Sequence, residues 1–166
     1  MLTFLAVLLQ TVPPPSAKLV SVQIWFDAKA SVADFQGRTT VATGTLGGVE
    51  VRWQDIDTKN GTRNRHMLKT VDAEHFPIIR FDLTGTTADS GDVRLKGTLT
   101  MHGVSHPVEW PATIRTGPDS VTVAADFPVD MRDYGIKPPV KFVIARMGAV
   151  VQVHVRLVFR KNQTRG

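Results

Sequence analysis

Along residues 93 to 114, apolar and polar side chains alternate on both sides of a short polar break. That two-residue period is the signature of a half-buried β-hairpin. On the first arm Val93, Leu95, Gly97, Leu99 and Met101 point one way, while Arg94, Lys96, Thr98, Thr100 and His102 point the other. The segment His102-Gly103-Val104-Ser105-His106-Pro107 predicts the connecting loop, and Val108, Trp110, Ala112 and Ile114 then resume the pattern against Glu109, Thr113 and Arg115. Neither apolar set contains a charge, and each contains a small residue, Gly97 or Ala112. The pair of strands therefore predicts an oily interior with room in it.

The same period recurs on either side. Val20, Val22, Ile24, Phe26 and Ala28 alternate with Ser21, Gln23, Trp25, Asp27 and Lys29 in a first strand. Residues 39 to 46 predict a second strand, and Val49, Val51 and Trp53 mark a third. Gly47-Gly48 between them predicts a tight return. Ile79, Phe81 and Leu83 make a fourth, the hairpin adds two, and Val121, Val123, Ala125, Phe127 and Val129 mark a seventh. Val151, Val153, Val155, Leu157 and Phe159 complete an eighth. Only Met67, Leu68, Val71 and His75 recur at helical spacing, between a cap at Asn64 and a stop at Pro77. Residues 130 to 148 predict a long loop carrying an added strand or turn.

A chain of 166 residues, 42% hydrophobic and 21% charged, is sized for one domain with a substantial core. Eight short strands and one helix exclude parallel βαβ units and predict an all-β fold. An eight-stranded antiparallel barrel removes sheet edges, and its lumen is either filled by side chains or holds one small ligand. Gly97, Ala112 and Ala125 among the inward residues favour the hollow case. Residues 1–17, apolar from Leu2 to Leu9 and followed by Pro13-Pro14-Pro15-Ser16-Ala17, predict a secretory signal, although no Lys or Arg precedes the run. Residues 18–166 are then the barrel domain, in a periplasmic or secreted protein. The chain has no cysteine, which removes disulfides, thiol chemistry and cysteine-ligated metal. Its net charge of +5 is scattered, without the aromatic and basic interleaving of nucleic-acid binders, so no nucleic acid is expected.

Several blocks resemble the YceI-like family of polyisoprenoid-binding, lipocalin-like barrels. They are Phe26-Asp27-Ala28-Lys29-Ala30 with Asp34-Phe35-Gln36-Gly37, Arg63-Asn64-Arg65-His66-Met67 with Phe76-Pro77-Ile78-Ile79-Arg80-Phe81, and Lys96-Gly97-Thr98-Leu99-Thr100-Met101-His102-Gly103 running on to Val108. Phe127-Pro128-Val129 and Arg132-Asp133-Tyr134-Gly135-Ile136 add a fourth. The resemblance implies an eight-stranded lipocalin-like β-barrel whose apolar cavity holds the tail of a quinone-like or polyprenyl lipid, with no catalytic residues. Asn64 and Ala149 depart from the family pattern, which commonly has an acid at each place.

The candidate cavity lining is Val22, Ile24, Phe26, Val51, Trp53, Phe81, Leu83, Leu95, Leu99, Trp110, Ile114, Val123, Phe127, Val153 and Val155. A lipid tail buried there releases about 0.8 kcal/mol per methylene-sized group. Arg63, His66, Arg132, Tyr134 and Lys137 are candidates to meet its head group by their place in loops. The lining carries no acid, base or nucleophile, and Ser105 beside His102 and His106 lacks an orienting carboxylate, so no enzyme is expected. The two histidines lack further ligands for a metal, and His154 falls on the outward face. No cofactor is expected beyond a bound isoprenoid or quinone-like lipid. Transient membrane contact accompanies such cargo, and a dimer stays open. A solidly packed interaction module and a lipid-modifying enzyme remain the alternatives.

Overall fold

The computed structural model describes residues 16–89, 92–141 and 145–162. The strands are β1 (Lys18–Ala30), β2 (Phe35–Thr39), β3 (Thr43–Thr45), β4 (Gly48–Arg52), β5 (Ile78–Asp89), β6 (Asp92–Met101), β7 (Val104–Thr116), β8 (Ser120–Asp130), β9 (Val140–Lys141) and β10 (Ala145–Arg160). One helix, α1 (Gly61–Thr70), joins β4 to β5. Each of β4 to β8 pairs antiparallel with the next, β8 pairs with β10, and β10 pairs with β1 from Lys18↔Arg160 to Ala30↔Met147. That last ladder closes the sheet. β2 and β3 share one place in the wall, β2 on the upper half of β1 and β3 on Lys18. The result is an eight-stranded antiparallel closed barrel. Closure satisfies the edges that eight alternating strands would otherwise expose.

Several expectations shift. The second strand is interrupted between Thr39 and Thr43, where the Thr39 Oγ1 accepts from the Val41 N–H at 3.0 Å and bends the chain. The central hairpin needs no six-residue loop: His102 and Gly103 both adopt positive φ, 53° and 71°, and return the chain in two residues. Such a turn matches the strand twist, so Ser105, His106 and Pro107 belong to β7. The helix starts earlier than expected and ends at Thr70, leaving His75 outside it. Its cap is Asn60, whose Oδ1 accepts from the Arg63 N–H at 2.9 Å. Asn64, expected as the cap, instead accepts from the Thr58 N–H and hydroxyl and donates to Asp57, tying the helix to the loop before it. In the expected long loop a 3₁₀ turn spans Met131–Tyr134, and β9 forms a small hairpin with the start of β10.

The interior divides into two clusters. One, built on Val51, Trp53, Leu99, Phe127 and Ile136, occupies the half nearest α1. The other, built on Leu95, Val121, Leu157 and Phe159, fills the opposite end. Ala17 belongs to this second cluster: it is fully buried, and its carbonyl accepts from the Leu46 N–H at 2.9 Å. Residues 1–15 of the expected signal segment lie outside the described residues.

Candidate functional site

The barrel encloses a cavity of about 860 Å³, inside the roughly 300–1,000 Å³ range of small-molecule pockets. Of the expected lining, Ile24, Phe26, Val51, Trp53, Phe81, Leu83, Leu95, Leu99, Trp110, Val123, Phe127, Val153 and Val155 form its wall. Val22 and Ile114 do not. They face inward on the same alternation but pack into the cluster toward the closed end, beside their cross-strand partners Leu157 and Val123, which do reach the cavity. Period two tells inside from outside; it carries no information on height along the barrel.

The small residues act differently from expectation. A Cβ at Gly97 would stand 2.4 Å from Phe81 Cζ, so the space is a seat for the Phe81 ring. Gly37 likewise seats Phe26, with 2.3 Å between a built Cβ and Cε1. Ala112 and Ala125 face each other across the β7–β8 ladder. The rings so admitted are ordered: Phe81 lies 5.5 Å from Trp110, which stacks on Phe127 at 3.6 Å and 9°. They pave the wall and leave the lumen open.

Every charged residue on the cavity wall sits at one end. Arg63, His66 and Lys69 come from α1, and Arg146 from the start of β10. Arg63, His66, Met67 and Thr70 fall three, four and seven residues apart, which puts them on one helix face over the lumen. Ser31, Val32 and Met147 complete the rim. The opposite end is shut by Val121, Phe159 and Ala17, each 2% exposed or less. The cavity therefore opens beneath α1. No Asp or Glu is among its described lining residues. Trp53, 8% exposed, leaves Nε1 without a hydrogen-bond partner, the one such buried side-chain atom among the described residues.

The remaining head-group candidates lie elsewhere. Arg132 binds Asp130 through two nitrogens at 3.0 and 2.7 Å on the outer surface, and Lys137 does not reach the cavity. Tyr134 is buried beside the hairpin turn, its hydroxyl pushed up to about 12 by desolvation and the nearby Asp133. Sequence reasoning placed these three near a mouth because they follow β8. The turn instead packs back against the hairpin, latched by His102 Nδ1 donating to the Tyr134 carbonyl (2.9 Å) and His106 Nε2 donating to that of Asp133 (2.7 Å), and of this loop Met131 and Pro139, not these three, are the residues on the described cavity wall. A carbonyl only accepts, so both ring nitrogens carry the proton. The two histidines are thus engaged in holding the loop, and no group of three metal-ligating side chains occurs among the described residues. Lys69 and Arg146 went unnoticed in the sequence. The helical spacing from Arg63 could have pointed to its neighbours on α1; nothing local marks Arg146.

The pattern of the YceI-like domain matches residues 16–159. The chain belongs to the YceI-like family. Among solved structures, this YceI-like chain is similar to a polyisoprenoid binding domain from Saccharophagus degradans, with TM-score 0.71 and 14% identity over 89% of this chain and 99% of that one. It is similar to BcnA of Burkholderia cenocepacia, with TM-score 0.70 and 15% identity over 82% and 95%. The Campylobacter jejuni YCEI protein gives 0.57 and 14% over 83% and 82%. At such identities the likeness is one of fold. No curated protein matches the sequence.

Proposed function

We propose that this YceI-like barrel takes up the long apolar tail of an isoprenoid or similar lipid and shields it from water, for storage or for transfer between membranes. The observation that carries the reading is the cavity itself: hydrocarbon-walled, closed at one end and open beneath α1. A barrel packed solid would offer no such space. Family membership and the similarity to a polyisoprenoid binding domain support a binding role, and they favour it over catalysis. Each isoprene unit buried contributes about 4 kcal/mol gross, from which association costs are subtracted, so a few units suffice for firm binding. Recognition by area tolerates variation in the tail.

The expected compartment is periplasmic or extracellular, where such a lipid needs a carrier between membranes. Loading then takes place at a membrane surface, and Val32, 74% exposed at the rim, offers an apolar contact for it. The test is extraction of lipid from chain purified without detergent, followed by mass spectrometry. A near-stoichiometric lipid with a long apolar tail is expected. An empty barrel that also refuses added isoprenoid would overturn the proposal.

A further inference from the structure

The wall of the cavity is neutral along its depth and positive at its mouth. Arg63, Lys69 and Arg146 reach the rim, and the described lining residues include no carboxylate to offset them. None of the three forms an ion pair among the described residues. Several cations of the outer wall do have acidic partners: Lys29 with Asp34, Arg80 with Glu50 and Asp82, Arg94 with Glu109, Arg156 with Asp126. Two of the three are also held in place. The Arg63 guanidinium lies 4.4 Å over the Phe35 ring and donates to the Thr58 carbonyl at 3.3 Å. Arg146 is fixed through its backbone, whose N–H donates to Ser31 Oγ at 2.8 Å and whose carbonyl accepts from the Ser31 N–H at 2.9 Å.

A tail drawn into the apolar barrel leaves its polar end at this rim. A neutral head group would leave the three rim cations without a counter-charge; an anion would supply one and accept charge-assisted hydrogen bonds from guanidinium and ammonium donors. We propose that the cargo is an anionic amphiphile, a phosphate or carboxylate on a long apolar tail, whose head is held by Arg63, Lys69 and Arg146. This rests on the carrier reading above and narrows its ligand class. Phosphate and carboxylate present the same acceptor chemistry to these donors, and separate arms of one experiment tell them apart.

The delipidated chain is loaded with a fluorescent isoprenoid, which is then displaced by four competitors: geranylgeranyl monophosphate, geranylgeraniol, hexadecanoate and hexadecanol. Within at least one matched pair the anion should compete about tenfold better than the alcohol, and added salt should shrink that ratio because the rim is exposed. Whichever pair shows the larger ratio identifies the head group. In Lys69→Gln/Arg146→Gln, which leaves the Arg63–Phe35 contact in place, the ratio should fall several-fold, and in the triple variant with Arg63→Gln it should approach one. Equal competition by anion and alcohol in both pairs overturns the head-group assignment and leaves the carrier reading intact. A ratio unmoved by the substitutions does the same. Failure of the chain to take up the fluorescent isoprenoid at all overturns both.

Discussion

Substituting Gly37 by alanine adds one methyl group, and the structure says where it goes. The new Cβ would lie 2.3 and 2.5 Å from Phe26 Cε1 and Cζ and 3.0 Å from Ile56 Cγ2. Both obstacles are side-chain atoms, and the Phe26 ring borders the cavity, so it can swing inward. Gly97→Ala differs, since besides the Phe81 ring its Cβ meets the Asp82 carbonyl oxygen at 2.5 Å, which is backbone. Overpacking of this kind costs about 1–3 kcal/mol, partly offset by about 0.4–1 kcal/mol from the restricted unfolded chain. For a domain of this size each kcal/mol moves Tm by about 2–4 °C, so Gly37→Ala should melt a few degrees low. The assay is a double-mutant cycle by thermal unfolding. Phe26→Leu should cost at least about 1 kcal/mol less in the Gly37→Ala background than in the natural chain, whereas Phe81→Leu should recover less in Gly97→Ala. Isoprenoid uptake should fall in Gly37→Ala as the displaced ring enters the lumen. If Gly37→Ala melts like the natural protein, or Phe26→Leu costs the same in both backgrounds, the glycine is not a ring seat and the reasoning fails.

On the outer wall His154 lies between Asp126 (2.7 Å) and Asp27 (2.8 Å) and stacks on Trp25. Burial opposes its charge, but the hydrogen bonds to Asp126 and Asp27 outweigh this and hold its pKa above the usual 6.5. Its stabilisation is therefore complete below about pH 6.5 and lost as pH rises through the folded value, so the Tm gap between the natural chain and His154→Gln should be wider at pH 5.5 than at pH 9. A gap independent of pH would refute it. Asn60→Ala removes the cap of α1 and should cost about 1 kcal/mol, with faster amide exchange in the first turn, checked by hydrogen exchange. His106→Ala should release the Met131–Tyr134 turn from β7, seen as protease sensitivity of that loop, with uptake largely retained because Met131 is the one residue of that turn on the cavity wall.

Strand number, closure and the inward set were legible because alternation records which face of a half-buried strand is wet. Thirteen lining residues follow from that pattern directly. Val22 and Ile114 escaped because depth along a barrel depends on strand stagger, which a single strand's sequence does not encode. Gly97 was misread for a related reason: the ring that fills its space comes from Phe81, which sits two residues from Gly97's partner Leu83 on the neighbouring strand. The helix boundary moved because Asn60 and Asn64 are equal as capping types, and only the Arg63 N–H distinguishes them. At the mouth, Arg63 and His66 were found through their loop position, while Arg146 arrives from a strand 83 positions further on than Arg63 and joins them only through closure by β10.

The hollow, one-ended barrel is tested most directly by titrating the delipidated chain with a dansyl-tagged geranylgeranyl lipid. Trp53 and Trp110 lie on the cavity wall and serve as energy donors, while Trp25, which also borders the cavity, turns its ring outward onto His154. The account predicts saturable transfer at one lipid per chain, abolished when Val51→Phe and Val153→Phe fill the lumen together. Transfer that never saturates, or that persists undiminished in the filled variant, would show that the lipid binds outside the barrel and would contradict it.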